Sequence, residues 1–317
     1  MNSNLLKWTL GTCVCAAGWL APAAPLQQAD IAASPGWLLH LDCDGLRLTA
    51  AGQYILAEMD KPSEKVKLAI FQTIFNFDLR TQLHGLTLYG TSPAPEDGVL
   101  IVYADCDPER LATLAQAAKG YQSSAHGQTT IHNWIDDKKK ATNGVQPRVY
   151  AAIQGNRVIF GQREQAVGQA LDVINGAAPN LAASKIFPDL VAPAKGTVIE
   201  AAAQKMKLPD SDPNAALLKM SQSVQLVAGE SAQQFTAALT LTADNDEIAG
   251  HMFSIAQGLV ALGKLQADKP ESVAVANAVT LQQNGSRVMG SLVLPADQVV
   301  QMMKTKAAQD AAKKAAE

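Results

Sequence analysis

The stretch Val149 to Phe160, VYAAIQGNRVIF, holds two apolar runs on either side of Gly155-Asn156. A Gly-Asn pair between β-forming runs is the chemistry of a tight hairpin, because glycine accepts the positive φ that such a turn demands. The pattern returns near the end of the chain, where Asn284-Gly285 separates Val279–Gln282 from Arg287–Leu294. Arg157-Val158 and Arg287-Val288 align the two hairpins. A helix follows each. Arg163 to Ile174 places Val167, Ala170, Leu171 and Ile174 on one face and stops at Asn175-Gly176, and a last helix starts near Pro295 with Val299, Met302 and Met303.

Working outward, the elements before each hairpin also correspond. In the first copy Trp37–Leu41, Leu86–Tyr89 and Val99–Ala104 read as strands, with helices over Thr49–Glu58 and Glu64–Phe75. Asp107-Pro108 then places a capping acid before a proline at the first helical position. In the second copy Val198-Ile199 open a strand, Leu218 sits in a helix, and Val224–Val227 and Phe235–Leu241 form a strand pair. The latter alternates apolar with small polar residues. Asp244 and Glu247 resemble a capping box, ahead of an apolar stripe of Ile248, Met252, Ile255, Leu259 and Leu262. The order strand, helix, two strands, helix, hairpin, helix therefore occurs twice. The expectation is an α+β protein of two related halves, residues 37–176 and 197–307, with mixed or antiparallel sheets covered by helices. Residues 24–36 are expected to be a linker, 177–196 a proline-containing joint, and 308–317 a solvated helical tail. Tyr121 to Gln146 reads as a surface excursion with a short strand at Thr129–Trp134.

The start of the chain reads as an export signal. Met1 to Lys7 carries one positive charge, Trp8 to Leu20 is apolar, and Ala21-Pro22-Ala23 fits a signal-peptidase site. Cleavage after Ala23 is expected; a cut after Ala29 ranks second, because Gln27 would occupy a small-residue position. Cys13 and Cys15 follow Thr12 and Val14, which places them in the apolar signal and not at a lipid-attachment site. The apolar run is shorter than the roughly 20 residues a spanning helix needs, and no later window reaches that length. The expected location is periplasmic or secreted, with no transmembrane segment in the mature chain.

The chain has 317 residues, 48% hydrophobic and 17% charged, with a net charge of −3, an ordinary globular balance. The only basic run, Lys138-Lys139-Lys140, follows Asp136-Asp137 with no aromatic platform beside it, so nucleic acid is excluded as a partner. No phosphate loop, nucleophile elbow, zinc motif or cofactor fingerprint occurs, and no cofactor is expected. His126 and His132, six residues apart, do not have a metal-ligand spacing and read as exposed loop histidines.

One string invites catalysis. Leu38-Leu39-His40-Leu41-Asp42-Cys43-Asp44-Gly45 is an apolar strand ending in D-x-D-G, and it resembles the first motif of haloacid-dehalogenase-type phosphatases. That resemblance implies a nucleophile at Asp42, a general acid/base at Asp44, and magnesium held with later acids such as Asp136-Asp137. Leu46 replaces the family's threonine, and the hairpins do not build its parallel sheet. Asp105-Cys106-Asp107 repeats the string where Asp107 has a capping task, so strand-end caps account for both. Cys43 and Cys106 are the two cysteines left after cleavage. Their matched positions suggest neighbouring strand ends, and they read equally as a disulfide or as two buried thiols. As a whole the chain resembles secreted bacterial proteins of low aromatic content, a resemblance that implies no activity. The leading expectation is a non-enzymatic binding or scaffold protein whose partner is an envelope or extracellular protein. The alternatives are a metal-dependent hydrolase using Asp42 and Asp44, and a carrier of an apolar ligand held between sheet and helices.

Overall fold

The computed structural model describes residues 24–141, 144–184, 186–190, 194–205, 216–266 and 269–316. The export segment expected at 1–23 lies outside the described residues. The first half comprises β1 (Trp37–Asp42), α1 (Cys43–Arg47), α2 (Ala50–Met59), α3 (Pro62–Phe75), β2 (Leu83–Gly90), β3 (Gly98–Ala104), α4 (Pro108–Gln116), β4 (Gln122–His126), β5 (Thr129–Ile135), β6 (Arg148–Gln154), β7 (Arg157–Gly161) and α5 (Glu164–Ile174). The second comprises β8 (Thr197–Gln204), α6 (Ala216–Met220), β9 (Ser223–Ser231), β10 (Gln234–Thr242), α7 (Asp246–Lys264), α8 (Pro270–Ala278), β11 (Val279–Asn284), β12 (Arg287–Pro295) and α9 (Ala296–Ala316).

All these strands form one 12-stranded sheet in the order β11-β12-β10-β9-β8-β1-β2-β3-β7-β6-β5-β4. Every paired neighbour is antiparallel. The α+β class is as expected, with a single antiparallel sheet where several sheets were allowed for. Outward from the central β1–β8 pair, one half reads β1-β2-β3-β7-β6 and the other β8-β9-β10-β12-β11. The strand order is the same on both sides, and the two hairpins occupy equivalent places. Both turns put glycine first in the two-residue loop, Gly155 at φ 60° and Gly285 at φ 56°. The second loop is thus Gly285-Ser286, one residue later than the sequence suggests, because Asn284 still pairs with Arg287.

Register explains the main core. Ile101, Ile159, Ala152 and Ile131 stand opposite one another across β3, β7, β6 and β5. All are buried beneath Val167, Ala170 and Leu171 of α5. Residues 24–36 are no linker. Leu26 packs on this core and Ile31 is completely buried within it. The Ile31 carbonyl accepts from Leu181 N–H at 2.8 Å, and Ala33 N–H donates to the Pro179 carbonyl at 3.1 Å. The expected joint is also packed, through Leu181, Phe187 and Leu190. Each lead-in segment ends in a clamp of the same kind. Arg157 Nε donates to Asp30 at 2.7 Å, and Arg287 donates to both carboxylate oxygens of Asp189 at 2.7 Å.

One further sequence reading is corrected, and one that was left open is decided. The supposed excursion at Tyr121–Gln146 contributes β4 and β5 to the sheet, with Ile131, His132 and Asn133 buried. Cys43 and Cys106 are free thiols. Their strands do run parallel and end at one edge, but β2 lies between them. Two strand spacings make roughly 10 Å, beyond the reach of a disulfide. Burial pushes the Cys43 thiol up to about 11, so it stays protonated and unreactive.

The helix starts follow the capping chemistry. Asp107 accepts from the backbone N–H groups of Glu109 and Arg110 at 3.0 and 3.1 Å. Replacing Asp107 with Ala should cost about 1 kcal/mol in chemical denaturation, and an unchanged midpoint would contradict the capping role. For α7 the cap is Asn245, which accepts from Ile248 N–H at 2.9 Å, because the Asp244 carboxylate is engaged by the Gln222 amide.

Candidate functional site

The acids singled out from sequence are occupied by architecture. Asp42 Oδ1 accepts from Gly45 N–H at 2.8 Å, capping α1, and from Ala24 N–H at 3.1 Å. Asp44 takes the Arg47 guanidinium, and His84 Nδ1 lies 2.9 Å from its other oxygen. The opposite ring nitrogen of His84 is 3.0 Å from Asp105. A register shift at Leu83/Gly85 turns His84 into this position between two strand ends. Burial, the largest single influence, lowers the His84 pKa. The hydrogen bonds from Asp105 and Asp44 outweigh it and leave the pKa raised. His84 is therefore a clip between the two Asp-Cys-Asp strings. Asp136-Asp137 follow β5, five strands from β1 and roughly 24 Å away, too far to act as late acids for Asp42. Among the described residues no group of three His, Cys, Asp or Glu side chains could hold a metal ion.

Behind Asp42 lies a buried polar row. His40 Nε2 faces the Ala24 carbonyl at 3.0 Å, and Nδ1 faces the Thr87 hydroxyl at 2.8 Å. A carbonyl can only accept, so Nε2 carries the proton. Burial lowers the His40 pKa and keeps the ring neutral. Glu200 stands opposite His40 on β8. It is 3% exposed, and among the described residues its Oε2 has no hydrogen-bond partner.

The reverse face of β5, β6 and β7 carries a concave feature with room for a ligand. The residues that alternate with the core positions, His132, Trp134, Ala151, Ile153, Val158 and Phe160, form a floor. Leu111, Leu114, Ala115 and Ala118 of the α4 segment form the roof, and Phe75 at the end of α3 closes one side. The enclosed volume is about 330 Å³. Arg110 fixes the roof by donating from Nε to the Ile74 carbonyl at 2.9 Å. Asn76 adopts φ 52° and ends α3. The lining residues that carry polar ring atoms are His132 and Trp134. His132 Nδ1 is 3.0 Å from the Tyr121 hydroxyl, and burial lowers its pKa so that the ring is neutral.

The matched halves show why this space exists. On the same sheet face of the second half, Leu241, Val224 and Val288 stand in register under α7. There Ala249 and Met252 are completely buried and fill the layer. The helix at the corresponding place in the first half, α4, buries none of its residues. It is held away from the sheet and leaves the cavity beneath it.

Sequence reasoning found the start of α4 at Asp107-Pro108 but not the space beneath the helix. It placed a short strand at Thr129–Trp134 but read His132 as exposed, whereas the residue is 7% exposed on β5. Alternation of Ile131 and Asn133 against His132 and Trp134 was the available signal.

The chain is similar to solved structures of TP0453. Crystal form III matches with a TM-score of 0.47 at 10% identity, covering 88% of this chain and 97% of that one. Crystal form I matches with a TM-score of 0.46 at 10% identity, covering 90% and 98%. No protein-family model matches the chain, and no curated protein does.

Proposed function

We propose that the chain is an exported, non-enzymatic binding protein that takes an apolar ligand between α4 and the sheet. The observation that carries this reading is the contrast between the halves: α7 fills its apolar layer and α4 leaves one of about 330 Å³ open. Close packing is the default for apolar layers, and a space of this size falls in the range of small-molecule sites. The lining calls for a hydrocarbon or aromatic body with one acceptor group for His132 or Trp134. The common strand order and the two Asp–Arg clamps support an internal duplication in which the first copy gained β4, β5 and the cavity. Among the described residues no helix is long and apolar enough to cross a membrane. The export signal and the envelope location rest on the sequence of residues 1–23.

Trp134 makes the test direct. After Trp37→Phe, Trp134 is the single tryptophan of the mature chain. Titration with an anilinonaphthalene dye or 1-decanol should change its emission and saturate at one equivalent. Ala115→Phe on the roof should weaken binding at least about tenfold, through overpacking of the site. Unsaturable binding, or saturable binding that Ala115→Phe leaves unchanged, would remove the cavity from consideration.

A further inference from the structure

We infer that signal cleavage after Ala23 gives Ala24 an α-ammonium group that docks in a preformed acidic site made by Asp42 and Glu200, locking the N-terminal segment onto the sheet. This rests on the export reading above, and it extends that reading from where the chain is cut to what the cut does. The nitrogen of Ala24 already lies 3.1 Å from Asp42 Oδ1, and its carbonyl accepts from His40 at 3.0 Å. Both ends of this residue are therefore held. A Cβ added at Gly85, opposite Asp42 on β2, would come 3.5 Å from the Ala24 methyl, so a larger residue there would crowd the docked terminus.

The site has more negative charge than the described residues satisfy. Asp42 and Glu200 are each 3% exposed. A peptide nitrogen at Ala24 supplies one hydrogen and no charge, and among the described residues Oε2 of Glu200 is left without a partner. Buried carboxylates without a counter-charge are costly, and a cation beside them is the usual remedy. His40, the other titratable group facing this spot, is neutral. Hydrolysis of the Ala23–Ala24 bond provides the missing charge. One water is consumed, its hydroxyl joining the Ala23 carbonyl carbon and its hydrogen the Ala24 nitrogen. That nitrogen then takes a proton from solvent, since an α-amine titrates near 8. The ammonium has three hydrogens to share between Asp42 and its neighbours.

The same geometry selects between the two cleavage positions. A cut after Ala29 would discard Ala24 and also Leu26, which packs on the core and whose N–H offsets part of the burial of Glu200. The new terminus at Asp30 would carry its ammonium away from Asp42.

The test uses three chains released from a fusion without a scar: one starting at Ala24, one retaining Ala23, and one starting at Ala24 with an acetylated terminus. The Ala24 chain should unfold at a temperature higher by on the order of 5 °C than the other two. In an Asp42→Asn background, which keeps an acceptor for Gly45, the difference should disappear. Isotopic dimethylation of the terminus followed by NMR titration should place the α-amine above its ordinary value in the folded Ala24 chain. Equal unfolding temperatures and an ordinary titration would overturn the proposal. The export reading is tested apart from these chains, by the intact mass of the protein recovered from the envelope of an exporting host. An uncleaved chain there would reject a cleaved signal while leaving the docking measurements to stand or fall alone.

Discussion

Replacing Asp30 with Ala is expected to cost about 2–4 kcal/mol of stability, toward the range for removing one partner of a buried ion pair, since Asp30 is buried and Arg157 is 30% exposed. The Asp30 carboxylate is 5% exposed and accepts from Arg157 Nε at 2.7 Å and from the Tyr103 hydroxyl at 3.0 Å. Tyr103 and Arg157 are cross-strand neighbours on β3 and β7, so one carboxylate serves two strands. Burial raises the Tyr103 pKa beyond the ordinary phenol range, which keeps the hydroxyl a donor. With Asp30 gone, that hydroxyl and the guanidinium lose their acceptor beneath Ile31, and the N-terminal segment loses its anchor. Asp30→Asn keeps an acceptor and should recover part of the loss. The counterpart clamp is the control. Asp189 is 28% exposed and Arg287 40%, so Asp189→Ala should cost no more than about 1 kcal/mol. Urea denaturation of the three variants measures the series. Equal costs at Asp30 and Asp189 would show that burial does not set the strength of these clamps.

The same two clamps mark where the sequence could be read and where it could not. The hairpins were legible because glycine at a positive φ is a local requirement, and the Asp107-Pro108 start because capping spans three residues. Alternation along Phe235–Leu241 was legible for a similar reason: period two is visible in a single strand. Arg157 and Arg287 were in view as the residues that align the hairpins. Their partners lie 127 and 98 residues away. Nothing local tells a salt bridge at that range from two solvated charges, and residues 24–36 therefore passed for a linker. Asp30-Ile31 and Asp189-Leu190, at similar offsets before the opening strands of each half, were the signal that could have joined them. The cavity was illegible for another reason. The α4 stripe looks the same whether a helix lies down on its sheet or stands off it, and only the Met252 layer of the other half shows the difference. The Asp-Cys-Asp strings were legible as caps, as Asp42 and Asp107 prove to be, but the catalytic alternative stayed open, since caps and catalytic acids share residue types and differ only in what surrounds them.

Glu200→Gln is expected to make the protein more stable above neutral pH, which is unusual for removing a charge from a native sequence. Burial is the main reason that Glu200 is pushed up to about 7; the charge of Asp42 adds to it and the Leu26 N–H opposes it. Its ordinary value is 4.5. Between these values the folded chain holds a proton that the unfolded chain has released, so stability falls as pH rises through the window. Below about 4.5 both states are protonated and the group is silent. Above about 7 both are ionised, and the whole cost of burying the charge is present, about 3–4 kcal/mol at roughly 1.4 kcal/mol for each pH unit between the two values. Glutamine has no such transition. Denaturation of wild type and Glu200→Gln should therefore coincide near pH 4 and diverge up to pH 8, with the variant the more stable. His40 contributes in the opposite sense below its ordinary 6.5, where the unfolded state takes up the proton first. It is present in both proteins and cancels in the difference. The divergence should be largest in the chain that retains Ala23 and should shrink in the chain starting at Ala24, where an ammonium beside Asp42 offsets the second carboxylate. A difference between wild type and variant that is flat from pH 4 to 8 would mean that Glu200 titrates as an ordinary carboxylate and that its burial carries no cost.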